Sequence, residues 1–136
     1  MYILDTNAVS ALMRGEPRVV QRLRAADRSE VAVPHPVFAE IVYGIERLPR
    51  SRRRTDLEHR SELLRSELQR AEWTDGVSDA FGRIKAALER NGRRIEDFDA
   101  AIAAHALAVQ GVLVTANVDQ MIRVPGIAFE DWTAEE

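Results

Sequence analysis

The sequence predicts an α/β fold built on a parallel sheet with helices on both faces. Two observations predict it. Residues 2–4, 31–33, 112–114 and 127–129 are short apolar runs without polar alternation, the pattern of strands buried on both sides. The stretches between them space apolar residues three and four apart, the period of helices. Strands alternating with helices in this order assemble into parallel sheets.

Residues 2–4 make the first strand. Residues 7–14 are helical and stop near Gly15 and Pro17, and a second short helix fits 18–26. Val31, Ala32 and Val33 form the next strand, closed by Pro34 and Pro36. From 37 to 48 the apolar residues Val37, Phe38, Ile41, Val42, Ile45 and Leu48 share one helical face. Residues 52–71 are rich in Arg and Glu, with Leu57, Leu63, Leu64 and Leu68 as a thin apolar stripe, and predict one exposed helix. Residues 77–90 are an amphipathic helix with Gly92 just past its end. Residues 100–109 are apolar all round except at His105, which marks a buried helix and makes His105 a core histidine. Gly111 ends that helix, and the strands 112–114 and 127–129 complete the sheet.

A chain of 136 residues suits one domain, 1–136, with one core. Its 46% hydrophobic and 30% charged residues are ordinary for a globular protein. The absence of cysteine excludes disulfides and thiolate metal sites. No apolar run approaches the ~20 residues of a membrane span, and no basic leader precedes an apolar stretch, so a cytoplasmic location is expected. A net charge of −3 is not that of a generally basic nucleic-acid binder. Eighteen of the nineteen basic residues are arginine, leaving Lys85 as the single lysine. Arginine's planar fork suits phosphate, although a compositional preference for arginine explains the same count.

Functional groups in a parallel sheet gather past the carboxyl ends of its strands. Asp5 follows the first strand, and Asn117 and Asp119 follow the strand at 112–115, so these belong at one edge whatever the strand order. Asp99 stands just before the buried helix, as its expected N-cap, a role worth ~1 kcal/mol. A buried helix carries its cap inward, and an unpaired carboxylate there has a raised pKa. Asp97 is a weaker version of the same idea. Glu40 falls beside the apolar stripe of 37–48, and Gly44, one turn on, leaves room for another backbone. A glutamate at such a border is also an ordinary surface residue. Together Asp5, Glu40 and Asp99 make a candidate cluster of hard oxygen ligands. Like charges so placed call for a divalent cation, Mg²⁺ or Mn²⁺, which keeps open positions for a phosphate oxygen and a water.

Four stretches carry a family resemblance: ILDTNAVSAL at 3–12, FAEIVYGIERL at 38–48, DAAIAAHALAVQGVLVTAN at 99–117 and VPGIAFEDW at 124–132. On these the chain resembles the PIN-domain ribonucleases, and among them the VapC-type toxins of bacterial toxin–antitoxin pairs. The resemblance implies a three-layer α/β/α domain with a central parallel sheet and metal-dependent endoribonuclease activity. It implies catalytic carboxylates at Asp5, Glu40 and Asp99, with Mg²⁺ or Mn²⁺ on Asp5 and Asp99 and with Glu40 acting directly or through water. Asn7 matches a position that hydrogen-bonds a ligand or a metal-bound water. Thr6 and Thr115 match hydroxyl residues beside the site, and Ser10 a serine that packs or caps the first helix. The departure is the fourth acid. Many PIN domains carry aspartate where this chain has Asn117, and many VapC-type members carry an acid near the position of Gln120, whereas here the acid is Asp119. One tightly held ion is therefore expected, with any second one weak.

The resemblance further implies an RNA substrate, a homodimer and a cognate antitoxin that places a basic side chain among the carboxylates. The leucine stripe of 52–71 is the expected antitoxin groove, and the apolar residues of the first helices the expected dimer surface. Residues 47–70 hold eight arginines against four acids. Arg50, Arg52, Arg53 and Arg54 either grip RNA phosphates or begin a solvated helix. Lys85 is expected to face the active-site groove, and His59 to be solvated. A phosphatase of the haloacid dehalogenase type needs a second aspartate where Asn7 stands, and a receiver domain needs an acidic pair and a distal lysine that are missing. A PIN-like fold used only for binding is the non-catalytic alternative.

Overall fold

The computed structural model describes residues 1–134. Its first strand, β1 (Tyr2–Leu4), is the centre of a five-stranded sheet. The other strands are β2 (Val31–Pro34), β3 (Gln69–Ala71), β4 (Val112–Val114) and β5 (Ala128–Glu130), in the order β3-β2-β1-β4-β5. Every neighbouring pair is parallel. Ile3 and Leu4 are adjacent, so their side chains leave opposite faces of the sheet, and both are buried. All four residues of β2 are buried as well. Both faces are therefore covered, which is the three-layer α/β/α arrangement with a central parallel sheet.

Among the described residues seven α-helices make the covering layers: α1 (Thr6–Met13), α2 (Pro17–Ala25), α3 (His35–Glu46), α4 (Arg52–Glu67), α5 (Asp75–Arg90), α6 (Asp97–Ala108) and α7 (Val118–Met121). Helix α6 packs over β1 and β4, and α5 lies along α6. Alanines let α6 approach closely: Ala100, Ala101, Ala103, Ala104 and Ala106 are all buried. His105 is buried among them, as expected, with its ring edge-to-face against Trp73 at 5.4 Å. Burial, with His35 adding to it, pulls its pKa down to about 4, so the imidazole is neutral at physiological pH.

Several expected boundaries move. The helix expected over 52–71 ends at Glu67, and residues 69–71 form the edge strand β3. Gln-Arg-Ala carries no apolar strand pattern; its backbone pairing with β2 makes it a strand. The expected leucine stripe divides: Leu64 and Leu68 are buried, Leu57 is half-buried, and Leu63 is 58% exposed. Of the apolar residues of the first two helices, Val9, Leu12, Met13, Val19 and Leu23 are buried in the core, and Val20 is partly exposed. Helix α7 was not legible, and β5 lies one residue later than expected.

The turn from α6 into β4 is tight. A side chain at Gly111 would place its Cβ 2.5 Å from the backbone oxygen of Met1, which accepts the Val112 N–H. Gly111→Ala is therefore expected to destabilise the protein by about 1–3 kcal/mol, read by thermal or urea unfolding, through displacement of the β1–β4 pairing. An unchanged midpoint would show that the first strand yields freely.

Candidate active site

The parallel ladder runs on past the strands and fixes the site. The Asp5 N–H donates to the Val114 carbonyl at 3.1 Å, and the Thr115 N–H to the Glu130 carbonyl at 3.0 Å. Asp5 and Thr115 thus stand side by side at the carboxyl edge. Asp5 is also the N-cap of α1, accepting the Ala8 N–H at 2.8 Å. The Asn7 N–H and the Thr115 hydroxyl donate to the same carboxylate. Thr115 in turn accepts the Asn117 N–H at 2.9 Å. Despite these donors the Asp5 pKa is raised, chiefly because the group is buried, with Glu40 adding to it.

Glu40 reaches the site from α3. The Thr6 hydroxyl donates to its Oε1 at 2.5 Å, joining α1 to α3 across 34 positions of sequence. Asp99 faces the same place from the first turn of α6. Its pKa is pushed up to about 6, by burial first and then by Glu40, Asp5 and Glu96. The expected trio of Asp5, Glu40 and Asp99 is therefore one electrostatic cluster.

Other expectations change. Asp99 is not the cap of α6: the helix starts at Asp97, and Glu96 holds the cap position without a side-chain bond. Asp97 lies outside the cluster, exposed and paired with Lys85 at 3.2 Å. Lys85 is thus beside the site but engaged. The space at Gly44 is open, and no backbone enters it. Asn7 is exposed and serves Asp5 through its backbone. Asp119 is exposed in the first turn of α7. At the fourth corner Asn117 Nδ2 donates to Gln120 Oε1 at 2.6 Å, so a pair of neutral amides stands there. Glu96 is a contributor missed in the sequence; its position next to the helix start was the available signal.

The arginine run also separates. Arg50, Arg52 and Arg53 are exposed. Arg54 is held at 3.0 Å by Glu46 and by Glu58, and donates to the Leu48 carbonyl at 3.1 Å, so it clamps α3 to α4.

Among the described residues no three His, Asp or Glu side chains stand ready to enclose a metal ion together. The donor chemistry nevertheless fits an oxygen-preferring divalent cation. The site offers carboxylate, hydroxyl and amide oxygens and no thiolate, and the pKa values of Asp5 and Asp99 are raised first by burial and further by neighbouring carboxylates, a charge that a cation would offset.

A parallel α/β/α sheet in the order β3-β2-β1-β4-β5, with carboxylates gathered at its carboxyl edge, is a PIN-like domain. The chain belongs to the PIN-domain family, whose profile matches residues 2–127. It is 28% identical over 134 residues to Ribonuclease VapC2 of Rickettsia felis, spanning 97% of this chain and 98% of that one. It is 30% identical over 131 residues to a tRNA(fMet)-specific endonuclease VapC of Salmonella typhimurium, spanning 96% and 97%. The crystal structure of DNA-bound VapBC from Salmonella typhimurium matches with a TM-score of 0.86 at 28% identity, over 96% of this chain and 97% of that one.

The raised Asp99 pKa fixes a sign. An acid whose folded pKa lies near 6 instead of near 3.8 stays protonated longer when folded, so its contribution to stability falls as pH rises between those values. In metal-free protein Asp99→Asn should raise the melting temperature at pH 7.5 by roughly 3–6 °C. The gain should vanish below about pH 4. No gain at pH 7.5 would show that Asp99 carries no electrostatic burden.

Proposed function

We propose that the chain is the toxin of a toxin–antitoxin pair, an Mg²⁺- or Mn²⁺-dependent endoribonuclease held in check by a cognate antitoxin. The observation that carries this reading is the cluster of buried Asp5 with half-buried Glu40 and Asp99 at the carboxyl edge of a PIN-domain sheet. Relatives named ribonuclease and endonuclease over nearly their whole length support it.

Asp5 and Asp99 are the residues to hold the cation. When bound, the cation offsets their charge and polarises a phosphodiester. Asp5 is aimed by the Ala8 and Asn7 N–H groups and by the Thr115 hydroxyl. Thr6 occupies one oxygen of Glu40, and the other has no partner among the described residues. That free oxygen can accept a proton from the attacking water. The neutral Asn117–Gln120 pair adds no charge, which suits one tightly held ion.

Antitoxin contact is assigned to the groove between α3 and α4, lined by Val42, Ile45, Glu46, Glu58 and Glu62, with exposed Val42 and Tyr43 on its α3 side. Arg54 already pairs with Glu46 and Glu58 and Arg65 also lines the groove, so its exposed apolar side chains are what the partner segment would cover. An arginine reaching the carboxylates would neutralise them in the cation's place. The chain acts as a homodimer through surfaces other than the buried faces of α1 and α2.

Asparagine caps helices as well as aspartate does, so Asp5→Asn should keep the fold by circular dichroism. Its RNA cleavage should fall by at least about a hundredfold, and EDTA should silence the parent. Cleavage that survives both would remove the metal site from the mechanism. Among the arginines, Arg52→Ala with Arg53→Ala should flatten the log–log salt dependence of single-stranded RNA binding by roughly 1.4. Arg54→Ala should instead lower thermal stability. An unchanged slope would return Arg52 and Arg53 to plain solvated surface.

A further inference from the structure

An exposed aromatic ring stands one residue from Asp99. Phe98, in the first turn of α6, is 46% exposed, and among the described residues its ring has no aromatic or cationic partner. The chain that leads to it carries exposed Arg90, Arg93 and Arg94. From the other flank, Arg123 Nη1 donates to the Arg94 carbonyl at 3.5 Å. That contact ties the segment after Asn117 and Gln120 to the loop before Asp99. Among the described residues Arg90, Arg93, Arg94 and Arg123 are in no ion pair, whereas Arg54, Arg60 and Lys85 each bind a carboxylate.

Packing does not account for Phe98, since nearly half of its surface faces solvent. Guanidiniums outside ion pairs draw phosphates, and a bare ring on the same stretch of chain presents a π-face for a nucleobase. Stacking requires a base whose face is free, which a duplex hides. We propose that Phe98 is the stacking platform for an unpaired base of the RNA substrate next to the cleaved bond, with Arg93 and Arg94 holding the phosphates on that side. This rests on the ribonuclease reading and adds to it the side chains that meet the substrate beside the carboxylates.

Binding separates the two ideas. In the Asp5→Asn background without metal, the probe is one RNA hairpin with 2-aminopurine walked through its unpaired loop. Its affinity is read by anisotropy and its stacking by quenching of 2-aminopurine emission. Phe98→Ala and Phe98→Leu should each weaken binding about tenfold and abolish quenching at the stacked position. Phe98→Tyr and Phe98→Trp should keep both. A fully paired duplex should bind every variant alike. If Phe98→Leu binds and quenches like the parent, the platform is overturned while cleavage by the unmodified protein still upholds the ribonuclease reading. If Phe98→Ala loses only antitoxin binding, the ring is a protein contact and the platform is again overturned. If the unmodified protein neither binds nor cleaves RNA, both fail.

Discussion

Asp5 is asked to do two things that pull against each other. It ends the central strand and caps α1, where the N–H and hydroxyl donors favour its ionised form, while burial and the neighbouring Glu40 favour its neutral form. The positive ends of two helices converge on this point: Asp5 caps α1 and Asp99 lies in the first turn of α6. Helix ends of this kind favour nearby carboxylates. They do not suffice here, because both aspartates still have raised pKa values. The rest of the fold serves this unresolved charge. Parallel strands bring Asp5 and Thr115 to one edge, and small side chains let α6 lie close enough to deliver Asp99.

Much of this was legible in the sequence where strand ends and burial patterns carry information. Asp5 follows an apolar run, and the apolar stretch after Asp99 announces a helix that must carry its first turn inward. Other parts had no local signature. Glu40 joins the site through Thr6, a contact 34 residues away that no periodicity records. The start of α6 was misplaced because Glu96, Asp97 and Asp99 are all acidic and local pattern does not rank them as caps. Strand β3 was invisible because an edge strand of Gln, Arg and Ala depends on backbone pairing with β2 and not on buried side chains. The fourth corner was expected to turn on Asn117 or Asp119, and its actual content is an amide pair that local sequence does not reveal.

The arginines show why counting charge says less than tracing partners. A contiguous run at 50–54 reads as one basic patch, yet Arg54 is a structural clamp between α3 and α4. Arg90, Arg93 and Arg94 are dispersed among acids in the sequence and attract no notice there. Among the described residues they are in no ion pair, and Arg123 donates to the Arg94 carbonyl of the loop that leads into α6.

The need for a counter-charge is open to direct measurement by calorimetric titration of Mn²⁺ into the parent protein between pH 5 and 7.5. A cluster in which burial raises Asp5 and pushes Asp99 up to about 6 should bind one ion per chain, more tightly as pH rises through about 6, and should release protons to the buffer as it does so. Absence of binding, or an affinity indifferent to pH across that range, would contradict a metal site built on Asp5 and Asp99.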